Sequence, residues 1–167
     1  MKIDKDHMYH GAALIQIIEH KSYRSVKTYG SRRGKSNCTF LVNGETGILI
    51  KYASSPRGRA DEYSFTFTQA HLRQLKAMGR DFRHAFAVLV CIDAAEICVL
   101  SHEQINDFVV LRKEDNRNQV EPQYQIKVTA QRNRKFRAYI DAPNQKGLLL
   151  KETKVSRNDF PKVLFRR

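Results

Sequence analysis

Lys21, Arg24, Lys27, Arg32, Arg33 and Lys35 lie in a stretch with no acid, since no acidic residue occurs between Glu19 and Glu45. Gly30 and Gly34 flank the arginine pair, and Ser22, Ser25, Ser31 and Ser36 are interspersed. Cationic heads, hydroxyls and glycine amides are the groups that contact phosphate oxygens, so the segment reads as a basic loop suited to a phosphate backbone. Lys127, Arg132, Arg134, Lys135 and Arg137 form a second acid-free cluster. Lys151, Lys154, Arg157, Lys162, Arg166 and Arg167 form a third, in the tail. A single cluster is ordinary solvated surface. Three of them belong to a chain with 30 Lys and Arg against 17 Asp and Glu, a net charge of +13 on 167 residues. Self-repulsion makes that excess a cost to folding. It points to a polyanionic partner, nucleic acid first, DNA or RNA. An acidic protein or a second copy of the chain is the alternative partner.

Tyr23 and Tyr29 are interleaved with the first cluster, and Phe136 and Tyr139 with the second. Aromatic rings beside arginine stack on unpaired bases. Tyr23 and Tyr29 are the stacking candidates, because Phe136 alternates with Arg137 and is expected to point inward. No helix-turn-helix and no paired aromatic motif of RNA-binding sheets is present, so sequence-specific readout is not expected.

Other chemistries find less support. The histidines are His7, His10, His20, His71, His84 and His102, and none combines with cysteine at zinc-finger spacing. No Gly-x-x-x-x-Gly-Lys-Ser/Thr or Gly-x-Gly-x-x-Gly string occurs, which argues against nucleotide hydrolysis and dinucleotide binding. Cys91 and Cys98 would face each other across a hairpin turning at Ala94-Ala95, as buried thiols or, alternatively, as a cross-strand disulfide. Three cysteines, an odd number, suit a reducing compartment. With no apolar signal core near the N-terminus and no run long enough to span a membrane, the expectation is a cytoplasmic protein with no membrane partner.

The elements that would position these residues follow from periodicity. Residues 6–20 read as a helix capped by Asp4 or Asp6, with Gly11, Leu14, Ile15 and Ile18 as the buried face. Residues 38–42 and 48–52 read as strands joined at Asn43-Gly44, a strong hairpin signal. Residues 62–68 alternate, with Tyr63, Phe65 and Phe67 on one side. Thr68 caps a helix that faces the core through Leu72 and Leu75 and ends at Gly79. The apolar run 85–92 is a strand covered on both faces, with 96–100 as its hairpin partner. Ser101 and Gln104 form a capping box before a helix presenting Ile105, Phe108 and Val109. Residues 111–123 read as a loop, 124–129 and 135–140 as a hairpin with the second basic cluster at its tip, and 148–150 as a short strand. The class is α+β, a mixed central sheet flanked by helices with an added C-terminal hairpin, in one domain spanning 1–167. Its core is about 6–140, and 141–167 is an extension or arm.

The order helix, three strands, helix, strand over residues 6–100 resembles the core of the PD-(D/E)XK nucleases, the restriction-endonuclease-like fold. In that family, an acid on the second strand and an acid-x-Lys on the third hold a divalent metal, and the lysine assists the attacking water. The resemblance implies Mg²⁺ or Mn²⁺ held by Glu45, Asp61 and Glu62, because such ions take oxygen ligands. Glu45 and Glu62 would be catalytic, with Lys51 supplying the amine from a neighbouring strand because Ser64 stands where the family has lysine. An alternative register places Leu49-Ile50-Lys51 on the acid-x-Lys strand, with leucine in place of the acid, and implies a site without activity. Two functional classes follow. One is a nucleic-acid-binding protein with a nuclease-like core acting as a metal-dependent phosphodiesterase. The other is a non-catalytic binding module or subunit. In both, Arg24, Lys27, Arg32, Arg33, Lys35, Arg132, Arg134 and Lys135 contact nucleic acid.

Overall fold

The computed structural model describes residues 2–30, 38–56 and 61–166. Arg32, Arg33 and Lys35 of the first basic cluster lie outside the described residues.

Helix α1 (Lys5–Ile18) starts at Asp4, whose carboxylate accepts the His7 N–H while His7 Nδ1 accepts the Asp4 N–H, a reciprocal cap. Strands β1 (Val26–Thr28), β2 (Thr39–Val42) and β3 (Thr46–Ala53) follow, then β4 (Glu62–Thr68) and α2 (Gln69–Asp81). Next come β5 (His84–Cys91), β6 (Glu96–Ser101) and α3 (His102–Asp115). Strands β7 (Gln123–Thr129), β8 (Phe136–Ala142) and β9 (Gln145–Val155) precede a 3₁₀ turn at Lys162–Phe165. Thr68 and Ser101 cap α2 and α3 as their sequences predict. The protein is α+β.

The strands divide between two sheets, ordered β1-β2-β3-β5-β6 and β4-β7-β8-β9. Only the β3–β5 pairing is parallel, with α2 inside the crossover. A core between the sheets takes Tyr63, Phe65 and Phe67 from β4, Leu49 and Leu89 from the five-stranded sheet, and Leu75, Met78, Ile105 and Phe108 from α2 and α3. The opposite face of the five-stranded sheet packs against α1 and the C-terminal Phe160 and Leu164. Residues beyond Asp141 thus complete a sheet through β9 and close a core through Phe160 and Leu164.

Several expectations change. The third strand of the predicted core, β4, pairs with β7 in the second sheet rather than with β3. The buried face of α1 is His10, Ala13 and Ile17, leaving Ile15 and Ile18 54% and 43% exposed. Consecutive apolar residues at 13–15 and 17–18 offered two helical stripes, and the sheet selected the other one. Helix α3 runs on to Asp115, so only part of 111–123 is loop. Helix α2 continues past Gly79 to Asp81, because Gly79 is a close-approach position against the His102 ring and not a stop. Cys91 pairs with Glu96 and Cys98 with Leu89, so the cysteines are offset, not opposite. Both are buried free thiols. Burial pushes Cys91 up to about 12 and Cys98 well above the usual range.

Helix α2 sits hard against β3 at Gly47, where a Cβ would come 2.7 Å from Met78 Sδ and 2.8 Å from Met78 Cβ. Gly47→Val is therefore expected to destabilise the fold by about 1–3 kcal/mol through overpacking. Urea unfolding with an unchanged m-value would read that loss, and an unchanged midpoint would contradict it.

Candidate nucleic-acid interface

The resemblance to a metal-dependent nuclease rests on Glu45, Asp61, Glu62 and Lys51 coming together, and the two sheets keep them apart. Glu45 sits in the exposed β2–β3 turn, 3.4 Å from Arg24 Nη2. Lys51 lies near the other end of β3. Its Nζ is 3.5 Å from His71 Nδ1 and 5.7 Å from the Phe67 ring centroid. Glu62 is five residues before Phe67, about 16 Å along the strand, and the alternation of β4 puts the two side chains on opposite faces. Asp61 is exposed just before β4, with φ +48°, and its carbonyl accepts the Ala130 N–H. Among the described residues, no three His, Cys, Asp or Glu side chains converge on a metal-sized site. The acids expected to hold Mg²⁺ or Mn²⁺ do not fit that role.

Glu62 instead belongs to a polar row on the outer face of the four-stranded sheet. Lys127 Nζ lies 3.2 Å from Glu62 Oε1 and 2.6 Å from Asp141 Oδ2. The Tyr139 hydroxyl donates to the other Glu62 oxygen. The lysine side chain is 10% exposed, the Asp141 side chain 13% and the Glu62 side chain 23%. Burial alone would lower the Lys127 pKa, but hydrogen bonds from its ammonium to Asp141 and Glu62 outweigh it and hold the pKa above the usual lysine range. Tyr139 is raised by burial and by its bond to Glu62. A neighbouring pair extends the network, with Arg112 Nη2 2.7 Å from Glu121 Oε1, Arg112 Nε 2.8 Å from Glu121 Oε2, and Arg112 Nη1 donating to the Asp141 carbonyl at 2.7 Å. Lys127 belongs to the second basic cluster of the sequence, but its charge is held inside the sheet. The signal was there in period-2 form. Residues 125, 127 and 129 and residues 137, 139 and 141 put polar groups on one face of both strands.

Lys51 lies in a different environment. It is half-buried, and no carboxylate forms an ion pair with it among the described residues. Burial lowers its pKa. His71 is pushed down to about 4 by burial first and by the Lys51 charge second. A neutral His71 suits its place, since Nδ1 also accepts the Thr68 N–H in the α2 cap. The folded pKa lies below the histidine reference of about 6.5, so this contribution to stability is complete above that value and is lost as pH falls from about 6.5 towards about 4. Thermal melts across that window should show a fall in Tm that a His71→Gln protein shows less of. Lys51→Met, which keeps the stem over Phe67 and removes a desolvated charge, should raise Tm by roughly 2–4 °C. A lower Tm would overturn that reading of Lys51.

The basic residues are likewise divided. Arg24 is at the β2–β3 end, beside Glu45. Lys27 is exposed on β1, the edge strand. Tyr29 packs edge-on against Phe82, 5.2 Å between centroids, and Tyr23 packs against the core beside α1, so both rings are half-buried. Arg132, Arg134 and Lys135 occupy the exposed turn between β7 and β8, at the opposite end of the molecule from Glu45. Arg157 braces that turn. Its guanidinium donates to the carbonyls of Gln131 and Arg134, pairs with Glu96 at the start of β6, and lies 4.9 Å from the Phe136 ring centroid. Beside the turn is an open groove of about 530 Å³ lined by Arg134, Lys135, Arg137, Glu152 and Lys154. Glu152 is its one acid and is paired with Arg137. Arg137 and Lys154 fall in different basic clusters of the sequence, and the fold brings them into one groove.

The Cys38 carbonyl accepts the Ile50 N–H in the middle of β3, and the Asp61 carbonyl accepts the Ala130 N–H at the start of the β7–β8 turn. A larger groove of about 660 Å³ lies elsewhere, between α2 and α3, with Arg73 and Lys76 on one wall and Glu103 and Asp107 on the other. Its balanced charge does not suit a polyanion. Among the described residues, no helix is long and apolar enough to cross a membrane. No protein-family model, curated protein or solved structure matches this chain.

Proposed function

We propose that this protein binds nucleic acid as a non-catalytic module, gripping the phosphate backbone with the groove beside the β7–β8 turn. The observation that carries the reading is that groove, with four cationic side chains against one acid that is already paired. Fixed cations along an open concave surface hold a phosphate chain and are indifferent to base identity. Arg157 contributes by positioning, since it ties the turn to β6. Phosphodiester cleavage through Glu45, Glu62 and Lys51 is not favoured, because Glu62 and Lys51 face away from each other and Glu45 is paired at the far end of β3.

Labelled duplex DNA, single-stranded DNA and RNA, each incubated with Mg²⁺ or Mn²⁺ and with EDTA, test this by retardation and cleavage together. The expected result is salt-sensitive retardation that EDTA leaves unchanged, with the nucleic acid intact. No retardation at low salt would overturn the binding reading and turn attention to an acidic protein. Metal-dependent cleavage lost in Glu62→Ala would overturn the non-catalytic reading.

A further inference from the structure

Helix α1 has two apolar faces and the fold uses one. His10, Ala13 and Ile17 face the sheet. On a second stripe turned away from the sheet, Met8, Ile15 and Ile18 are 57%, 54% and 43% exposed. With Gly11 they recur at positions 8, 11, 15 and 18, the alternating three- and four-residue spacing of a helix–helix seam. Gly11 has no role inside the chain, for a Cβ built there meets nothing within 4 Å. Glycine within a helix costs roughly 0.5–1 kcal/mol against alanine, and a residue that small at the middle of an exposed apolar seam permits close approach by another helix.

The charges on the helix identify that other helix. Lys5 and Glu19 flank the seam on one side, Lys5 in the first turn and Glu19 at the C-cap. Both are exposed and neither has an ion-pair partner among the described residues. In an antiparallel pair, Met8 meets Ile18 of the second helix and Gly11 meets Ile15, small against large. Lys5 then lies beside the second helix's Glu19, and two-fold symmetry repeats the pair. In a parallel pair the flanks carrying Lys5 and Glu19 lie on opposite sides of the seam, so the two charges never meet. Charges flanking a helix seam set partner and orientation in this way.

We propose that the protein self-associates through α1, as an antiparallel two-fold dimer with the seam Met8, Gly11, Ile15 and Ile18 and reciprocal Lys5–Glu19 pairs. One 14-residue helix is a small contact, below the roughly 1,200–2,000 Å² of stable interfaces, so the dimer dissociates on dilution.

Sedimentation equilibrium of nuclease-treated protein, over a range of concentrations, tests it; the nuclease removes nucleic acid that would bridge two basic chains. The expected result is a monomer–dimer equilibrium. Ile15→Glu should weaken it by at least about tenfold, with circular dichroism and Tm unchanged because Ile15 supports no intrachain core. Lys5→Glu and Glu19→Lys should each weaken association, and the double reversal should restore it, as only a contact between Lys5 and Glu19 of two copies would do. Monomer at every concentration, a dimer indifferent to Ile15→Glu, or a double reversal no better than the single ones would each overturn the proposal. None of these outcomes bears on nucleic-acid binding, which is read separately with the groove intact.

Discussion

Lys127→Ala is expected to cost about 3–5 kcal/mol of folding stability, the loss typical of removing one partner from a buried ion cluster. The substitution leaves the Glu62 and Asp141 carboxylates in a pocket with no cation between them. Asp141 Oδ1 already lacks a hydrogen-bond partner among the described residues, so the cluster has little spare capacity. Glu62 would retain its bond from Tyr139, whereas Asp141 Oδ2 would lose its partner. Lys127→Met combined with Glu62→Gln and Asp141→Asn should recover much of the loss, since it removes all three charges at similar volume. Chemical denaturation of the single and triple variants checks both statements. The pH dependence has a definite sign. The folded pKa of Lys127 is raised, so its contribution is present below about 10.5 and is lost as pH climbs through the higher folded value. A Lys127→Ala protein as stable as the parent would show that the cluster contributes nothing net.

The second large effect concerns binding. Replacing Arg132, Arg134 and Lys135 by alanine together should reduce the slope of log affinity against log salt by about 3 on duplex DNA, and by about 2 on single strands. At about 0.1 M salt that corresponds to roughly 10²–10³-fold weaker binding, taking about 1 M as the condition where the counterion contribution vanishes. The three side chains are exposed and make no ion pair among the described residues, so Tm should be preserved. Arg24→Ala gives the internal contrast. Arg24 lies at the far end of β3 and already pairs with Glu45, so it should change affinity little. Equal losses from the triple variant and from Arg24→Ala would mean that charge acts through the whole molecule and not through the groove.

Local signals in the sequence were accurate where the chemistry is local. The caps at Thr68 and Ser101, the Asn43-Gly44 turn, the alternation of 62–68 and the apolar run into β5 all appear where their residues placed them. What could not be read was which elements meet. β4 has the same alternation whether it joins β3 or β7, and the choice of β7 separated Glu62 from Lys51. The three-residue β1 gave too short a pattern to see. The face of α1 was ambiguous because apolar residues outnumber the positions one sheet can cover. The site shows the same limit. Lys127 and Arg132 belong to one cluster in sequence, yet one ends in a buried ion pair and the other in an exposed turn, and only the pairing of β7 with β8 and β4 distinguishes them.

That pairing has a temporal side. During synthesis β4 emerges 55 to 67 residues before the strand it bonds to. At about 5–20 residues per second, Tyr63, Phe65 and Phe67 wait roughly 3–13 s without their sheet. The five-stranded sheet has all of its strands by Ser101 and can assemble in that interval. It then offers Leu49, Leu89 and Leu100 as a surface on which the β4 aromatics can rest. The first sheet would thus act as a template for the second, and a ribosome paused before Gln123 would hold a nascent chain whose exposed strand is a ready target for chaperones or for another copy of itself.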